Sequence, residues 1–133
     1  MNGLGNASPS VNETESSASI EKNKLIKLII DLAEQMLSCG GEVSRVEETV
    51  VRICTAYGVA KTDVFCITTV IIVTAMWDDG EIITQTRRIS QGSRNFNKLE
   101  MLNALSREVC RDTPPSSAAL FLVMAMRVSR SGG

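Results

Sequence analysis

The sequence predicts an α+β domain, and three observations carry that prediction. Two runs with apolar residues at helical spacing are joined by the pair Gly40-Gly41. A stretch dense in β-branched residues follows, broken by Asp78-Asp79-Gly80. A third helical run ends at Pro114-Pro115. The expected architecture is an antiparallel αα-hairpin, a small sheet made of a hairpin plus a short third strand, and a third helix packed on the sheet.

Residues 1–19 are rich in Ser, Asn, Gly and Glu with scattered apolar residues, a composition that predicts a disordered leader. The domain proper is expected over residues 20–112. From Ile20, apolar Leu25, Leu28, Ile29, Leu32, Met36 and Leu37 recur at helical spacing, and Lys22, Lys24, Lys27, Asp31, Glu34 and Gln35 fill much of the other face. Gly40 and Gly41 stand where a glycine stops a helix in a left-handed conformation.

The second helix is expected from about Val43 to Tyr57. Val43, Val46, Val50, Ile53 and Tyr57 step by three and four to make one stripe. Ser44 with Glu47 suits a capping box, while Glu42 or Gly41 are alternative boundaries. Glu48 and Arg52 are ordered for an i,i+4 pair. Gly58 ends the helix.

Val70–Trp77 and Glu81–Ile89 then read as a hairpin about the Asp-Asp-Gly turn, with Val64–Ile67 as a separate strand bent away around Thr68-Thr69. Asn95 or Asn97 caps the third helix, whose apolar face holds Phe96, Leu99, Leu102, Leu105 and Val109. Residues 113–133 form a divergent end, apolar and then basic. With no polar face, Ser117–Met126 is expected to be poorly accommodated.

Composition excludes several function classes. Among 133 residues, 14 Lys+Arg against 15 Asp+Glu leave no electrostatic footprint for nucleic acid. With no histidine, Ser-His-Asp and Cys-His catalysis and His-containing metal sites are ruled out. Cys39, Cys54, Cys66 and Cys110 form no CxxC pair, so neither metal nor other cofactor is expected, and the thiols read as buried and free. The first residues lack the basic and apolar regions of a secretory signal, which favours the cytoplasm. The two longest uncharged windows, Val64–Trp77 and Thr113–Met126, would reach about 20 Å as helices, short of the roughly 30 Å hydrocarbon core.

Few motifs carry chemistry. Glu42, Arg45, Glu48 and Arg52 fall along one helix face, either as a charged contact strip or as solvated surface. Asp78 and Asp79 belong to a hairpin tip. Arg87, Arg88, Arg94 and Lys98 make a basic cluster that suits either a phosphate site or scattered surface charge. Thr68 and Thr69 either close a bend or face a ligand. Nothing here specifies an enzyme.

Three stretches together resemble the N-terminal domain of the threonine/serine exporter family: LAEQMLSCGGEVSRVEETVVRICTAYGV, DVFCITTVIIVTAMWDDGEIITQTRRIS and NFNKLEMLNALSREVC. The matching residues are Gly40, Gly41, Glu42, Val43, Arg45, Val46, Glu47 and Thr49, then Thr68, Gly80, Arg87 and Arg88, then Leu99, Leu102, Asn103, Leu105 and Ser106. The resemblance spans roughly Leu25–Cys110. It implies a cytoplasmic α+β domain on the inner face of the cell membrane, partnered by a membrane-embedded transporter portion or a second small membrane subunit. The family solutes are threonine and serine or small dicarboxylates, and a homo-oligomer is compatible with it. It also points to Glu42, Arg45, Glu47, Thr49 and Thr68 as the substrate or coupling region, with Arg87 and Arg88 as a basic cluster. After about Arg111 the sequence departs from the family pattern, which reads as a chain truncated before the membrane helices. Alone it is not expected to transport. The alternative is a soluble regulatory or ligand-binding α+β module.

Overall fold

A computed structural model describes residues 8–90, 92–116, 118, 119, 122 and 123. In chain order the elements are α1 (Ser8–Ser38), α2 (Val43–Ala56), β1 (Lys61–Ile67), β2 (Val70–Met76), β3 (Ile82–Arg88) and α3 (Phe96–Asp112). The α+β class and the element order agree with the sequence-based expectation.

The first helix departs from it in two ways. It begins at Ser8, so residues 8–19 of the expected disordered leader are helical, while residues 1–7 lie outside the described residues. Once a helix is nucleated on a core, each added residue gains a hydrogen bond, and Pro9 is tolerated in the first turn. Contacts also hold this end: the Ser19 hydroxyl donates to Glu81 at 2.7 Å, and Lys22 meets Asp79 at 2.7 Å and Glu81 at 2.9 Å. The second departure is burial. Every residue from Leu28 to Ala33 is buried, and so are Asp31 and Gln35, which the amphipathic pattern places on the polar face. α1 is the central helix of the molecule: the sheet, α2, α3 and the segment holding Ala119 and Val123 all contribute to the core around it.

α1 closes on a Schellman motif. Gly40, at φ +97°, donates to the Leu37 carbonyl, and Gly41 donates to the Met36 carbonyl at 2.8 Å. α2 ends the same way at Gly58, φ +86°, with Gly58 bonded to Thr55 and Val59 to Cys54. At the start of α2 the boundary residue is Glu42, whose side chain makes no cap, so the Ser44–Glu47 capping box does not form. α2 lays Val46, Val50, Ile53 and Cys54 into the core.

The sheet is an antiparallel meander in the order β1-β2-β3. β1 starts three residues before the expected Val64, and Thr68-Thr69 form a two-residue turn that pairs Ile67 directly with Val70. The strand is therefore not bent away. Cys66, Ile71, Val73, Ala75 and Ile83 point to the core, and all three strands alternate. α1 covers β2 and β3, and α2 covers β1, on this one face.

α3 is capped by Asn95, whose side chain accepts from the Lys98 amide at 3.0 Å. It packs on α1 and α2, and at its far end Cys110 shares a groove with Val64 of β1. Thr113, at φ +39°, turns the chain out of the helix ahead of Pro114. Of the segment Ser117–Met126, only residues 118, 119, 122 and 123 are described, and Leu122 stays exposed while two of its neighbours turn inward. Ala119 and Val123 are fully buried, and the Gln35 side-chain amide donates to the Val123 carbonyl at 2.9 Å. The Tyr57 hydroxyl, donating to the Pro114 carbonyl at 2.5 Å, fixes the exit.

Candidate functional site

A cleft of about 250 Å³ lies where the α1–α2 turn meets the first turns of α3. Its floor is apolar, made by Met36, Val46 and Leu99. Its polar groups are Glu42, Arg45 and Asn103, and the Gly40-Gly41 backbone forms one wall.

Local sequence explains how the walls are held. A Cβ on Gly41 would stand 2.7 Å from the Met36 carbonyl oxygen, so only glycine lets this turn lie so close to α1. The Arg94 side chain packs over Gly40, with its Cγ 3.1 Å from where a Cβ would be. The Asn95 amide donates to the Cys39 carbonyl at 3.1 Å, and the Ser38 hydroxyl donates to the Ser90 carbonyl at 3.1 Å. The start of α3 is thus fastened to the end of α1. On α2, residues 42, 45 and 46 fall within one turn, and on α3 Leu99 and Asn103 are four apart, which puts each set on a single face.

The chemistry of the cleft is mixed in sign. Glu42 supplies a carboxylate, Arg45 a guanidinium and Asn103 an amide with both donor and acceptor. Neither Glu42 nor Arg45 forms an ion pair with another described residue. The volume lies below the usual range for drug-sized ligands and suits a solute of a few heavy atoms.

The other expected site residues are dispersed. Glu47 lines a separate, open groove of about 740 Å³ on the flank of α2, with Glu48, Val51, Arg52, Val64 and Cys110. The Thr49 hydroxyl donates to the Arg45 carbonyl at 2.9 Å, a bond spent within the helix. Thr68 is exposed in the β1–β2 turn and lines neither hollow. The basic cluster divides by strand alternation. Arg87 turns inward and bonds Asp31 at 2.6 Å and Glu34 at 2.8 Å. Burial acts to lower its pKa, but the bonds to those carboxylates raise it overall. Arg88 stands exposed on the opposite face. Lys98 is buried on α3 and Arg94 covers Gly40. Asn103 is the cleft residue that the site reading missed. Its place four residues after Leu99 was visible, but not which neighbour that face meets.

Two of the cysteines are chemically quiet. Burial pushes the Cys54 and Cys66 thiols up to about 11, far above the range of a reactive thiolate. Among the described residues no cluster of three or more Cys, Asp or Glu could hold a metal ion.

Fold and cleft together define a two-layer α+β module with a small polar-rimmed hollow at a helix–helix turn. The family described as "Putative threonine/serine exporter" matches residues 27–120. The match covers most of the chain, and the chain belongs to that family. It runs past Asp112 into the segment expected to be divergent, in keeping with the burial of Ala119. No curated protein and no solved structure matches. Among the described residues no helix is long and apolar enough to cross a membrane.

Proposed function

We propose that this chain is the N-terminal cytoplasmic domain of a threonine/serine exporter-like transporter, and that the Glu42–Arg45–Asn103 cleft is where it meets the transported solute. The observation that carries this reading is convergence. Gly40, Gly41, Glu42, Arg45 and Val46 belong to one stretch that resembles the family and Leu99 and Asn103 to another, more than fifty residues apart, yet all line one hollow. A guanidinium and a carboxylate on the same rim offer opposite charges to the carboxylate and ammonium of a small amino acid. The Asn103 amide suits a hydroxyl.

Passage through lipid is assigned to a membrane-embedded transporter portion or a second small membrane subunit, because a polar solute needs a spanning helix bundle or closed barrel. Glu47, Thr49, Thr68, Arg87 and Arg88 are not assigned to solute contact. Glu47, in the open groove on the other flank of α2, is proposed instead for contact with that membrane portion or subunit.

Titrating threonine, serine and succinate against thermal unfolding tests the solute reading. A ligand of the folded state raises stability, by about 2.7 kcal/mol at a hundredfold excess over Kd. A rise in the unfolding midpoint with threonine or serine is expected, and its loss in Arg45→Ala. No rise with any of the three removes the solute role.

A further inference from the structure

All three helices lie on one side of the sheet, and its other face has no covering layer among the described residues. Twelve residues point outward there, set by the register in four rows of three: Lys61–Met76–Ile82, Asp63–Thr74–Thr84, Phe65–Ile72–Thr86 and Ile67–Val70–Arg88. Six of the twelve are large and apolar. Phe65 is 56% exposed, Ile67 44% and Ile82 60%.

We propose that this face is the interface through which two copies of the chain pack, sheet on sheet. Three properties favour a second copy. The first is area. Strands about 4.8 Å apart, with seven residues at about 3.4 Å each, give a face of about 14 by 24 Å. That is about 340 Å² in plan, which the relief of its partly exposed side chains raises toward the roughly 800 Å² that each partner of a standard interface buries. The second is polar satisfaction. In the inner row, the Thr74 and Thr84 hydroxyls bond each other at 2.9 Å, so they can be covered without losing their partners. The third is charge. Lys61, Asp63 and Arg88 stand on the two edge strands rather than at the centre, and they are of both signs. The adjoining hairpin tip adds Asp78, while Asp79 is tied to Lys22 of α1. That mixture does not favour an anionic bilayer, which selects basic surfaces. It does suit a copy bearing the same mixture. Two like-twisted sheets pack face to face at about −30°, the geometry of a β-sandwich core. The result is a four-layer dimer with helices outside and the two cleft regions left free. This proposal is independent of the solute reading.

Sedimentation of the full chain at micromolar concentrations, with Phe65→Glu and Ile82→Glu variants, tests it. The wild type is expected at twice the 14.4 kDa chain mass. The double variant is expected at the monomer mass with its circular dichroism unchanged. Met101→Glu, on an exposed α3 position away from the sheet, is expected to leave the dimer intact. A monomeric wild type overturns the proposal, and so does a dimer that persists in the double variant. Should the wild type stay monomeric and cosediment with phosphatidylglycerol vesicles, a membrane covers this face instead. If the double variant loses its fold, Thr86→Arg is read in its place, with the same two outcomes.

Discussion

At Gly41 a single hydrogen atom decides whether the α1–α2 turn closes. The Met36 carbonyl oxygen stands 2.7 Å from where a Cβ would be, and the turn is held by the Schellman bonds. Gly41→Ala must therefore shift helix backbone rather than a flexible side chain. The expected cost is about 1–3 kcal/mol, seen as a lower denaturation midpoint in urea. An unchanged midpoint would show that the turn has slack. Charge acts midway along α1, where the bonds from Ser19 and then Lys22 hold the Glu81 carboxyl below its ordinary value. Lys22 and the Glu81 amide do the same for Asp79. A carboxylate with a lowered folded pKa stabilises the fold above its unfolded pKa, and that contribution is lost as pH falls through the folded value. Stability is accordingly expected to drop as pH falls from about 4.5 through 3.8 and lower, more steeply in the wild type than in Lys22→Met. Equal pH slopes in the two proteins would sink this account of the clasp.

The helices and strands were legible in the sequence to different degrees. α2, α3 and the β2–β3 hairpin follow from local signals: a clean apolar stripe, an Asn cap, an Asp-Asp-Gly turn, a glycine at the stop of α2 and prolines after α3. α1 was only half legible. Its Lys, Asp, Glu and Gln positions look like a solvent face because periodicity counts polarity and not partners. Arg87, arriving from β3, pairs with Asp31 and Glu34, and the Val123 carbonyl accepts from the Gln35 amide nitrogen, while the Gln35 Oε1 is buried with no partner among the described residues. In the segment after Pro115, Ala119 and Val123 are buried against the core while Leu122 is exposed, a split that the uniformly apolar run does not reveal. Val123→Asp is therefore expected to destabilise the domain by at least about 3 kcal/mol, because it leaves an unpaired charge in the core. A guanidinium chloride midpoint unchanged from the wild type would show that Val123 is not part of the core. The site was legible as residue types but not as a place. Glu42 and Arg45 could be named from their stretch, whereas the separation of Glu47 onto another flank and of Arg87 from Arg88 depends on rotations about α2 and β3 that the stretch alone does not specify.

Across the whole molecule, contacts with other molecules are assigned to three surfaces of the described residues. The cleft at the end of α1 is small and polar-rimmed, the groove beside α2 is wide and apolar with Glu47 and Glu48 at its border, and the outer sheet face is flat and apolar. They face different directions around one core, so solute, membrane partner and second copy need not compete. Membership of the exporter family and the convergence of family-like residues on the cleft make that hollow the centre of the account. Its most direct test is calorimetric titration of L-threonine into the folded chain, beside Arg45→Ala and beside Arg52→Ala, whose guanidinium pairs with Glu48 on the far flank. The account predicts saturable binding to the wild type and to Arg52→Ala, and at least a tenfold loss of affinity in Arg45→Ala, which is about 1.4 kcal/mol. Equal binding by wild type and Arg45→Ala, or no binding by any of the three proteins, would contradict it.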